Sequence, residues 1–149
     1  KGLAKTSKTP GRTQLINLFD IGDNKRLVDL PGYGFAKVST ATKRNWQKTL
    51  NMYLQSRTCL KGVVLLMDSR HPLKELDCTM IQWAIDCKLT MLILLTKTDK
   101  LNNQEKSKAL RTVKAEVAEH ANMHVQLFSS LKRTGLNELM TRLNGWFGE

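Results

Sequence analysis

The sequence predicts an α/β fold built on a doubly wound, mostly parallel sheet. Three observations carry that expectation. Short apolar runs alternate with longer stretches of helical periodicity through most of the 149-residue chain. One run, Leu89-Thr90-Met91-Leu92-Ile93-Leu94-Leu95, carries no charge and reads as a strand buried on both faces, as parallel sheets require. Polar clusters then follow the apolar runs at the carboxyl ends of the strands, where open α/β sheets bind their ligands.

Each element has its own justification. Lys1 to Gln14 is rich in glycine, threonine and lysine, holds one Pro-Gly, and reads as a mobile loop. Leu15–Ile21 and Lys25–Leu30 form a strand pair joined by Gly22-Asp23-Asn24, a good hairpin turn. Pro31 to Ser39 is a glycine-containing loop. A helix follows from about Thr40 to Arg57, capped by Ser39 or Thr40. Trp46, Leu50, Tyr53 and Leu54 fall on its inner face, and Lys43, Gln47 and Lys48 on its outer face. Gly62–Asp68 is a buried strand, followed by a helix over about Leu73–Cys87 and the central strand over Leu89–Leu95. A helix over Gln104–His120 turns Leu110, Val113 and Val117 inward. His124–Ser129 is the last strand, and Gly135–Phe147 closes the chain as a helix carrying Leu136, Leu139, Leu143 and Trp146. Neither a repeat nor a linker interrupts the pattern, so residues 1–149 read as a single domain.

Composition narrows the class. Hydrophobic content of 41% and charged content of 25% are ordinary for a globular chain. No apolar run approaches 18 residues, which argues against a membrane span, and basic, polar Lys1–Arg12 does not read as a secretory signal. Cys59, Cys78 and Cys87 are odd in number and lack metal-ligand spacing, as expected of thiols in the reducing cytoplasm. His71, His120 and His124 are scattered and read as structural. The net charge of +11 points to a polyanionic partner. Lys37, Lys43, Arg44, Lys48, Arg57 and Lys61 lie between Leu30 and Met67 with no acidic residue among them, and Lys1, Lys5, Lys8 and Arg12 form a second acid-free cluster. This favours an RNA-facing surface that binds through phosphate contacts and shape.

Three motifs bear chemistry, each after an apolar strand. Asp29-Leu30-Pro31-Gly32 supplies a carboxylate suited to the water shell of Mg²⁺ and a glycine amide able to approach a terminal phosphate. Thr96-Lys97-Thr98-Asp99 offers a carboxylate that can accept both the ring N–H and the exocyclic amine of guanine, while the lysine stem lies along the base. Adenine offers neither donor. Phe128-Ser129-Ser130 ends the last strand with two backbone amides in reach of the guanine carbonyl. The order of the three is more specific than any one of them.

Together with Thr9-Pro10-Gly11-Arg12-Thr13-Gln14, Asp29-Leu30-Pro31-Gly32-Tyr33-Gly34 and Met67-Asp68-Ser69-Arg70-His71-Pro72-Leu73, these stretches closely resemble the EngB (YihA/YsxC) family of bacterial P-loop GTPases, from Lys1 to Glu149. The resemblance implies a Ras-like G domain that binds GTP and GDP with Mg²⁺. It also implies a cytoplasmic monomer acting on a large ribosomal subunit precursor or ribosomal RNA, with a role in cell division and septum formation. Thr13 would coordinate Mg²⁺ directly, flanked by Gly11, Arg12, Gln14 and Leu15 in the nucleotide-contacting switch I segment. Asp29 would act on the metal through water, with Leu30 and Pro31 beside it, and the Gly32 amide would reach the γ-phosphate. Lys97 and Asp99 would hold the base, with Thr96 and Thr98 beside them in the nucleotide-binding motif and Thr96 standing where many GTPases have asparagine. Phe128, Ser129 and Ser130 would complete the pocket.

The sequence departs from the family pattern in two places. No Gly-Lys dipeptide occurs, and none of the nine glycines fits the Gly-x-x-x-x-Gly-Lys-Ser/Thr phosphate loop. The expectation is therefore a GTPase whose first strand and phosphate loop lie outside these residues. Tyr33 follows Gly32 where many GTPases place a water-orienting glutamine, so hydrolysis should be slow or assisted, and no catalytic base is assigned. Two readings stand at this point: a GTP-dependent switch in ribosome assembly, or a basic α/β module or inactive fragment that binds ribosomal RNA or particles without nucleotide.

Overall fold

The computed structural model describes residues 17–30, 40–56 and 58–148, with the side chains of Thr42, Lys43 and Trp46 excepted. The expected loops over 1–14 and 31–39, and with them Gly11, Arg12, Thr13, Gln14, Leu15, Pro31, Gly32 and Tyr33, lie outside the described residues. The chain divides into two compact units, one ending at Thr58 and the other beginning at Cys59.

In the first unit, β1 (Asn17–Asp20) and β2 (Arg26–Asp29) pair antiparallel, from Asn17 opposite Asp29 to Asp20 opposite Arg26. Gly22, Asp23 and Asn24 all take positive φ, at 89°, 51° and 58°. Glycine, aspartate and asparagine tolerate that region best, which is why this tripeptide can reverse the chain. The Asp20 carboxylate accepts the Gly22 amide at 2.8 Å and locks the turn. Helix α1 (Thr40–Gln55) buries Leu50 and Leu54, one turn apart. It stops before the expected Arg57, where the Ser56 hydroxyl donates to the Tyr53 carbonyl.

The second unit alternates β3 (Val63–Asp68), α2 (Glu75–Asp86), β4 (Met91–Thr96), α3 (Asn103–Glu116), β5 (Met123–Leu127) and α4 (Leu136–Phe147). Its sheet is parallel in the order β3-β4-β5, with Asp68 opposite Thr96 and Leu95 opposite Leu127 at the carboxyl edge. The central strand is apolar on both faces as expected, and Met91 to Leu95 are each at most 2% exposed. It begins two residues later than the apolar run. The Leu89 amide closes α2 on the Ala84 carbonyl, after Lys88 turns the chain at φ 54°.

Helix ends follow from side-chain chemistry. The expected start of α2 at Leu73 moves to Glu75 because Leu73 has φ 58° and the Asp77 carboxylate caps the Lys74 amide at 3.0 Å. In α3, Asn102 and Glu105 form a reciprocal capping box, each side chain accepting the other's amide. That helix ends at Glu116, short of His120. Its inward row is Ala109, Val113 and Val117, with Leu110 only half-buried. Gly135 starts α4 at φ 77°, and a Cβ there would collide with the Leu127 carbonyl. Trp146 lies so close over Gly62 that a Cβ would stand 2.6 Å from its ring. No residue of α4 is fully buried, and Leu136 and Met140 are exposed.

Candidate functional site

Parallel strands place all their carboxyl ends on one edge, so the polar residues that end β3, β4 and β5 meet there. Lys97 leaves β4 through the left-handed region at φ 60°, ψ 30°, a conformation that costs a non-glycine residue roughly 1 kcal/mol or more. The corner is held by Thr98, which is 2% exposed. Its amide and its hydroxyl both donate to the Phe128 carbonyl, at 3.3 and 3.0 Å. The Phe128 amide in turn donates to the Leu95 carbonyl at 2.8 Å. These bonds tie the loop after β4 to the end of β5.

That tie delivers Asp99 to Ser129. The buried Ser129 hydroxyl donates to Asp99 Oδ1 at 2.7 Å and accepts the Lys132 amide at 3.2 Å. The hydroxyl is the main reason the Asp99 carboxyl lies below the usual carboxylate range, with the charges of Lys100 and Lys132 adding to it. Asp99 is therefore an anion at neutral pH.

The amide of Ser129 departs from expectation. It donates to the Thr134 carbonyl at 3.1 Å in an isolated bridge, so it is not offered to a ligand carbonyl. Chain reversal over residues 130–134 brings Thr134 back to Ser129 and spends that donor. Ser130 beside it is exposed.

Asp68 and Arg70, to which the sequence assigns no role, occupy the same edge. The Arg70 guanidinium forks onto Asp68, Nε to Oδ1 at 3.0 Å and Nη2 to Oδ2 at 2.8 Å, while the Arg70 amide donates to Oδ1 at 3.0 Å. Lys97 Nζ approaches Asp68 Oδ2 at 3.2 Å. The Arg70 fork, with further help from its amide and Lys97, holds the Asp68 carboxyl far below the usual range against the opposing effect of burial. The available signal is an Asp-x-Arg closing a buried strand, and the structure sets its aspartate directly opposite Thr96. Asp-x-Arg alone specifies no chemistry.

The structure thus brings Thr96, Lys97, Thr98, Asp99, Phe128 and Ser129 together within the second unit. Asp29 ends β2 in the first unit, exposed, with half-buried Leu30 after it. Among the described residues no cluster of three or more His, Cys, Asp or Glu side chains could hold a metal, and no helix is long and apolar enough to cross a membrane.

A parallel sheet flanked by helices, with these loops at its carboxyl edge, is the α/β fold of P-loop GTPases. The translation elongation factor SelB of Methanococcus maripaludis, solved with the GTP analogue GppNHp, superimposes with a TM-score of 0.65 over 90% of this chain and 28% of its own. At 12% identity that likeness speaks for the fold. Residues 1–97 match the family described as 50S ribosome-binding GTPase. The probable GTP-binding protein EngB of Francisella philomiragia is 56% identical over 99% of this chain and 76% of its own length. That of Escherichia coli is 54% identical over 100% of this chain and 71% of its own. The chain belongs to the EngB family of GTP-binding proteins, which favours the GTPase reading over the nucleotide-free one.

Proposed function

We propose that residues 1–149 belong to a single G domain that switches with GTP and GDP and acts, as a cytoplasmic monomer, on a precursor of the large ribosomal subunit. The observation that carries the nucleotide reading is the ionised Asp99, pinned by Ser129 beside Lys97 at the carboxyl edge of the sheet. An anchored carboxylate can accept two parallel N–H bonds from guanine, whereas adenine would leave it unpaired. The Lys97 stem lies along the base, and the Ser130 amide takes the carbonyl role that Ser129 has spent on Thr134. Exposed Asp29 is a hard oxygen donor at a strand end. It fits a water-mediated contact to Mg²⁺, with the Thr13 hydroxyl as a direct ligand. The metal would neutralise charge on the phosphates. The Gly32 amide would reach the γ-phosphate, with Leu30 and Pro31 following Asp29 and with Gly11, Arg12, Gln14 and Leu15 flanking Thr13 in the nucleotide-contacting segment, and Tyr33 makes hydrolysis slow or partner-assisted.

The ribosomal role is supported by the family description and by the acid-free basic stretch, of which Arg44 and Lys48 are exposed on α1. A role in cell division and septum formation belongs to the same reading. Reversing both residues to glutamate should weaken binding to large-subunit precursor particles and flatten its salt dependence by about two charges, with GTP affinity retained. Sedimentation with particles across a salt series reads this directly. Identical curves for the wild type and the double variant would remove α1 from the ribosomal interface.

A further inference from the structure

The Asp68 carboxylate engages two cations at once and is less exposed than either: its side chain is 21% exposed, that of Arg70 42% and that of Lys97 56%. Neither cation is confined by burial. Lys97 sits at a left-handed corner beyond β4, where its four-carbon stem can sweep a wide arc without an anchor. Arg70 stands two residues beyond β3, within the field of a second carboxylate. Asp99 adds to the attraction that raises the Arg70 pKa. Two carboxylates therefore compete for one guanidinium. Asp68 holds it through the two-bond fork and an amide, while Asp99 is bonded by the neutral Ser129 hydroxyl and, among the described residues, pairs with no cation.

The outcome of that competition matters because a guanidinium and a guanine edge present the same donor pattern. Each offers two parallel N–H groups to a carboxylate. An arginine released from Asp68 could dock on Asp99 in place of the base.

We propose that Asp68 is a positioning residue of the guanine pocket: by gathering the Arg70 fork and the Lys97 ammonium it keeps Lys97 along the base and Arg70 off Asp99. This rests on the reading of Lys97 and Asp99 as base-holding residues. Asp68 itself touches no base. It acts through its two cations, and the Asp-x-Arg spacing serves this purpose because the side chain two residues on can fold back onto the carboxylate in the turn after β3.

The test compares the intact protein with Asp68→Asn, Asp68→Glu and the double variant Asp68→Asn/Arg70→Ala, titrating a fluorescent GTP analogue. Asp68→Asn should weaken binding about tenfold, by freeing both cations. Adding Arg70→Ala should recover about threefold of that loss, since no guanidinium remains to occupy Asp99. Asp68→Glu keeps a carboxylate near both cations and should bind more tightly than Asp68→Asn. Carboxyl NMR titration supplies a readout independent of nucleotide: the Asp99 pKa should fall further in Asp68→Asn and return in the double variant. A structural role would predict no recovery on adding a second substitution. Wild-type affinity in Asp68→Asn, a double variant no tighter than the single one, or an Asp99 pKa indifferent to both changes overturns the proposal. If Asp68→Asn does not fold, Asp68→Ser takes its place: the Asp99 pKa should fall further there, and an unmoved value overturns the proposal. Failure of the underlying reading looks different, because Asp99→Asn would then leave GTP affinity unchanged whatever Asp68 does.

Discussion

Ser129 joins two hydrogen-bond chains at one buried oxygen, accepting from Lys132 and donating to Asp99. Removing the hydroxyl should be felt in both directions. Ser129→Ala should raise the Asp99 pKa toward the ordinary carboxylate value and cost about 1 kcal/mol of stability for the orphaned Lys132 amide. GTP binding should weaken about tenfold as Asp99 loses its fixed orientation. Carboxyl titration, urea unfolding and nucleotide titration read the three effects. An unmoved Asp99 pKa would show that the hydroxyl does not set the charge of the site. Asp68 makes a separate prediction about acid. Its folded pKa is depressed, so the unfolded chain binds more protons as pH falls through the ordinary aspartate range near 3.9. Stability from this group is complete above about pH 4 and is lost progressively below it. Asp68→Asn should flatten the urea midpoint between about pH 2 and 4, and a slope equal to that of the wild type would contradict the assignment. At this scale, the strand-end placing of Lys97, Asp99 and the serine pair was legible because an apolar run followed by polar residues marks where a buried strand ends. The Ser129 amide was not, since its fate is decided by a turn that returns Thr134 five residues later. Asp68 and Arg70 were visible as a motif and silent as chemistry until the fork was seen.

Elements were legible in kind and order because each carries its own period, and their ends moved where local bonds outbid the pattern. The apolar run from Leu89 marked β4 correctly, yet its first two residues serve the exit from α2. Helix α3 lost its last turn, while its inward row and its Asn102–Glu105 box hold the start. The strand ending at Ser129 stops pairing as strand at Leu127, and Phe128 keeps one bond to β4 before the chain turns away. Positive φ at Leu73 and Lys88 carries no sequence signal comparable to a glycine, which is why α2 began and ended differently from expectation. The consequence of a strand buried on both faces can be measured. Ile93 is fully buried at the centre of β4, so Ile93→Ala should cost about 2–5 kcal/mol, through lost transfer free energy and the cavity left behind. Urea unfolding gives the value. A loss below about 1 kcal/mol would mean that the site collapses around the gap and that β4 is not the rigid base of the pocket.

For the whole molecule, the α/β class and the family were readable because alternation, motif order and the Asp-x-Arg-His-Pro stretch agree with one another. The +11 charge points to a polyanionic partner without naming it. The first unit holds exposed Asp29 and, on α1, exposed Arg44 and Lys48, and the second holds Lys97 and Asp99 at the carboxyl edge of its sheet. The central claim is that Asp99 reads guanine. Binding of GTP and xanthosine triphosphate to the intact protein and to Asp99→Asn tests it most directly, because xanthine carries a carbonyl where guanine carries the exocyclic amine. An asparagine amide can donate to that carbonyl, whereas an aspartate repels it. The variant should bind GTP at least about tenfold more weakly and xanthosine triphosphate more tightly than the wild type does. Unchanged GTP affinity with no gain for the xanthine nucleotide would contradict the account.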